Sequence, residues 1–98
     1  MGKKYLGRIP EVEEGWDQVG EYEDDDGVQW LVFFKPQEHT EDWITYKIVA
    51  NGRAHGKANY WLVRNNKTGQ LGFARDFALL REHRPKLHEH VESLFRIA

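Results

Sequence analysis

Trp43-Ile-Thr-Tyr-Lys-Ile-Val-Ala-Asn-Gly-Arg-Ala-His-Gly-Lys-Ala-Asn-Tyr-Trp-Leu-Val-Arg-Asn65 reads as two strands about one turn. β-Branched and aromatic residues suit a pleated surface, and they flank Asn51-Gly52, a pair that accepts the positive φ angles of a tight hairpin. Gly56 falls in the second arm and marks a bulge or bend near His55. The remaining segments read as elements that add to this hairpin.

Upstream, Val28–Lys35 carries the strongest strand signal, and Pro36 is expected to end it by removing a backbone donor. Gln37–Asp42 is a polar connection. Asp24-Asp25-Asp26-Gly27 reads as a turn, and a first strand runs from Trp16 to Glu23. Downstream, Asn65–Gly69 is a second turn that leads to a short strand at Leu71–Ala74. Asp76 is placed to cap a helix with Phe77, Leu79 and Leu80 as its apolar positions. Pro85 interrupts that helix and restarts it as a first-turn residue, through to Arg96. Leu87, Val91, Leu94 and Phe95 share one face. The expected fold is therefore α+β: an antiparallel meander of about five strands, flat or curled like a barrel. A kinked C-terminal helix, or two short ones, packs on one face. Residues 1–15 read as an N-terminal arm and 16–98 as a single domain.

Alternation along the strands assigns the two faces. Val28, Trp30, Val32 and Phe34, with Ile44, Tyr46, Ile48, Tyr60 and Leu62, form the expected core. The opposite face carries Leu31, Phe33, Val49, Trp61 and Val63, too much apolar surface to leave wet. Either the sheet curls to bury both faces, or these five residues form an interface with Lys47 and Lys35 at its rim. The interface would take a protein partner or a second copy.

Charge separates along the chain. Residues 1–34 hold nine acids against three bases, and residues 35–98 hold eleven bases against seven acids, for a total of −2. One explanation is that the two halves lie together and neutralise each other. The other is that Glu21, Glu23, Asp24, Asp25 and Asp26 form an acidic patch for a basic partner, imitating nucleic-acid phosphates in the manner of small phage and plasmid inhibitors. The chain has no cysteine, so disulfides, thiolate metal sites and a cysteine nucleophile are excluded. No apolar window reaches membrane-spanning length, and the expectation is a soluble, cytoplasmic protein with no membrane contact.

Catalytic and metal chemistry find little support. No two of His83, His88 and His90 stand three or four residues apart, and only His88 and Glu92 form an i, i+4 pair. Glu92 stands where a His-Glu-x-x-His motif needs its second histidine. An EF-hand register through Gly27 puts Tyr22 and Phe33 at ligand positions. Ser93, the single serine, lies outside any nucleophile elbow, and no phosphate-binding glycine loop occurs. No cofactor and no metal are expected, and a non-enzymatic binding protein is the favoured class. A second binding surface is the basic and aromatic hairpin, where Lys47, Arg53, His55, Lys57, Arg64 and Lys67 interleave with Tyr60 and Trp61. Such a stripe suits single-stranded nucleic acid, although the acidic first third opposes it.

Overall fold

The computed structural model describes residues 15–37, 40–51 and 58–95. Five strands, β1 (Asp17–Glu23), β2 (Gln29–Gln37), β3 (Thr40–Ala50), β4 (Tyr60–Asn65) and β5 (Leu71–Gly72), are followed by α1 (Ala74–His83) and α2 (Pro85–Leu94). The strands form one sheet in the order β1-β2-β3-β4-β5, each antiparallel to its neighbour. The sheet is an open meander, not a barrel. Both helices pack on the same face, α1 against β4 and α2 against β1.

The alternation identifies that face correctly. Trp30, Val32, Ile44, Tyr46, Ile48 and Leu62 are buried against Phe77, Leu80, Leu87, Val91 and Leu94, with Val28, Phe34 and Tyr60 at the margin. Pro85 stops α1 and starts α2, because the residue before proline avoids helical geometry and Arg84 is extended at φ −144°. At β1 the fit is close: a Cβ added to Gly20 would come within 2.4 Å of Leu94 Cδ1, so a side chain there would force Leu94 of α2 to move.

Three local expectations are corrected. The β3–β4 connection is not a two-residue turn at Asn51-Gly52, since Ile48 pairs with Tyr60 and Asn59 N–H donates to Ile48 C=O at 3.0 Å. Asn51 instead extends the contact with β2: its N–H reaches Gln29 C=O at 2.8 Å and its buried amide donates to Gln29 Oε1. Pro36 does not end β2, which runs on to Gln37 across a register shift that accommodates the missing donor. The cap of α1 is Phe73, not Asp76, and Asp76 sits in the first turn. Residues 1–14 of the expected arm, Gly56, and Arg96 at the expected end of α2 lie outside the described residues.

His90 sets a pH dependence on the α2–β1 contact. Its ring lies 5.3 Å from the Tyr22 ring, its Nε2 is buried without a hydrogen-bond partner, and burial pulls its pKa below the ordinary 6.5. The unfolded chain therefore binds this proton more readily than the folded one. Its stabilising share is complete above pH 6.5 and is lost as pH falls towards the lower folded value. Denaturant midpoints measured between pH 8 and pH 5 are expected to fall with acid, and less steeply in His90→Leu. An identical slope in the variant would remove His90 as the cause.

Candidate functional site

The apolar face opposite the helices is largely closed. Leu31, Phe33 and Val49 form a second buried cluster, with Trp16 and Ala58 packed on it, and Val63 is also buried. Chain flanking β1 and β4 thus covers what the open sheet leaves bare. Lys47, expected at an exposed rim, is only 6% exposed, its ammonium 4.3 Å from the Trp16 ring centre and 5.5 Å from that of Trp61. Two indole faces offset part of the cost of burying that charge. Lys35 lies half-buried, 5.9 Å from the Trp16 ring. Of the seven residues expected to form an interface, Trp61 alone is exposed, at 43%.

The basic stripe does not stay together. Strand alternation puts Lys47 and Trp61 on one face and Tyr60 and Arg64 on the other. Tyr60 packs on the core and its hydroxyl meets His83 Nδ1 at 3.2 Å; the Arg64 guanidinium lies 4.7 Å from the Phe95 ring centre. Lys67 is in the turn after β4, and Arg53, His55 and Lys57 lie outside the described residues.

Much of the acidic set holds the fold. Asp24 accepts from the backbone N–H of Asp26 and Val28 through Oδ1, and from Trp30 Nε1 and Arg84 Nη1 through Oδ2, all within 3.1 Å. Burial pushes its pKa up, but those hydrogen bonds and the Arg84 charge outweigh burial and hold it below 3.8. Glu21 accepts from Gln29 Nε2 at 2.6 Å, and Asp25 faces Lys86 at 3.4 Å. Glu23 and Asp26 are exposed. Asp24 and Asp25 of the acidic stretch thus pair with Arg84 and Lys86 of the mildly basic remainder. On α2, His88 lies 3.6 Å from Glu92 and stacks on Phe77 at 4.2 Å, and among the described residues no three metal-ligating side chains converge.

One surface feature has no structural account. Phe73, between β5 and α1, has φ 52° and ψ 42°, the left-handed region that a bulky side chain seldom enters, and the residue is 73% exposed. It is the only described residue other than glycine with positive φ. Phe73 and Trp61 border a cavity of about 420 Å³ completed by Arg75 and Asp76. Asp76 Oδ2 accepts the Trp61 backbone N–H at 3.0 Å and fixes the start of α1 to β4. Arg75 stands in the first turn of α1, where the helix dipole disfavours a cation, and among the described residues it makes no hydrogen bond or ion pair.

Sequence reasoning selected Trp61 and missed Phe73 and Arg75. Phe73 reads as a strand residue after Gly72, and nothing in its type announces a left-handed backbone. Comparison with known proteins finds no family model, no curated protein and no solved structure that matches this chain.

Proposed function

We propose that this domain is a non-enzymatic binding protein whose contact surface is the Trp61–Phe73 cleft between β4 and α1. The observation that carries the reading is the backbone of Phe73. A left-handed conformation costs a non-glycine residue about 1–2 kcal/mol, and such strain collects at functional sites. An exposed phenyl ring returns nothing to the isolated fold in exchange. Beside it stands the exposed part of Trp61, and large aromatic rings are favoured anchors of protein contacts. The apolar surface of the expected interface thus contracts to one end of β4 and shifts onto the helix start.

Replacing Phe73 by glycine separates stability from binding. Phe73→Gly is expected to leave the melting temperature unchanged or raise it by a few degrees, because strain worth about 1 kcal/mol is removed. The same variant is expected to lose partners that the wild-type chain retains in parallel pull-downs. A melting temperature several degrees lower would make Phe73 a structural residue and remove the main support for this reading.

A further inference from the structure

We infer that the cleft takes a short acidic segment of another protein, with one bulky apolar residue as its anchor, and not a second copy of this chain. The inference rests on the reading of the cleft as a binding site.

Size argues first. The exposed parts of the two rings offer roughly 250 Å², whereas a stable protein–protein interface takes about 800 Å² from each side. A second folded copy would gain too little here. A cavity of about 420 Å³ falls instead in the range of sites that enclose a few side chains.

The chemistry of the walls selects the segment. Trp61 and Phe73 offer apolar surface to an aliphatic or aromatic anchor. The Trp61 indole N–H has no acceptor among the described residues, so it is able to donate to a main-chain carbonyl of an extended peptide. The cleft holds one cation and one anion, but in unlike positions. Asp76 keeps its charge, yet its Oδ2 accepts the Trp61 N–H and the positive end of the α1 dipole offsets part of that charge. Arg75 is exposed, unpaired among the described residues and adds to that positive end. A carboxylate beside Arg75 would gain a charge-assisted hydrogen bond and relieve the unfavourable placement of that cation in the first helical turn. A basic segment would meet like charge both at Arg75 and at the positive end of the α1 dipole.

The test uses the full chain, isotopically labelled for amide NMR, and two capped heptapeptides. One has a central leucine flanked by glutamates; in the other, lysines replace the glutamates. The glutamate peptide is expected to shift the amide signals of Trp61, Phe73 and Arg75 and to bind about tenfold more tightly than the lysine peptide. Arg75→Glu, an exposed change that leaves the other signals in place, is expected to reverse the preference. If the lysine peptide binds these residues equally well or better, the cleft survives as a site and the acidic class is wrong. If neither peptide binds and the same signals broaden with protein concentration, the occupant is a second copy and the inference fails. Shifts produced by oligothymidylate but by neither peptide would also overturn it, in favour of nucleic acid. Silence in every arm overturns both the inference and the reading of the cleft.

Discussion

Asp24→Ala is expected to lower the stability of the domain by about 3 kcal/mol, although it removes only one small carboxylate. Four donors converge on that group: two backbone N–H groups of its own turn, the Trp30 indole and the Arg84 guanidinium. Alanine leaves the indole N–H of a residue only 2% exposed without an acceptor, and it unties α2 from the β1–β2 turn. Each stranded buried donor costs about 1–3 kcal/mol, and the ion pair adds less because Arg84 is partly exposed. Asp24→Asn keeps acceptor oxygen but not charge, so an intermediate loss is expected. The folded carboxyl titrates below 3.8, so its contribution is complete above that pH and disappears as pH falls through the lower folded value. Urea unfolding at pH 7 and pH 3 measures both effects. A loss under about 1 kcal/mol at pH 7 would show that the turn and the indole find other partners.

Phe33→Ala is expected to cost about 4 kcal/mol, the scale of an aromatic ring deleted from a closed core. The side chain is on the sheet face that no helix covers, yet it is 0% exposed, buried with Leu31 and Val49 beneath Trp16 and Ala58. An open sheet with helices on one face ordinarily leaves its other face to solvent. Here the second face is core, and chemical denaturation decides the matter directly. A cost below about 1 kcal/mol would mean that the cover over Phe33 does not persist in solution, and the broad interface read from alternation would then return.

These expectations show which parts of the structure the chain announces. Strand alternation sorted Trp30, Val32, Tyr46 and Ile48 from Leu31, Phe33 and Val49, because the two-residue period is a local property. Pro85 marked the helix break for an equally local reason. The hairpin turn was misplaced because Asn51-Gly52 suits a tight turn by itself, while the buried amide contact between Asn51 and Gln29, twenty-two residues apart, is a tertiary matter. The same holds for Lys47, whose sequence context is a solvated strand position but whose neighbours are Trp16 and Trp61. Phe73 is illegible for a different reason. Its backbone goes against residue preference, a departure that appears only in the folded chain.

The contact of α2 with β1 has a consequence for how the domain is made. Neighbouring strands of the meander are neighbours in the chain, so their pairing closes short loops. Asp24, just after β1, and Arg84, just before α2, stand sixty residues apart, and their meeting closes most of the domain. Long-range closure is the costlier and slower step, which places the docking of α2 after the assembly of the sheet. A chain emerging from the ribosome therefore presents an apolar sheet surface of Trp30, Val32, Tyr46 and Ile48 before Pro85–Leu94 has left the exit tunnel. In that interval the nascent domain is most exposed to aggregation, and its last helix ends the hazard.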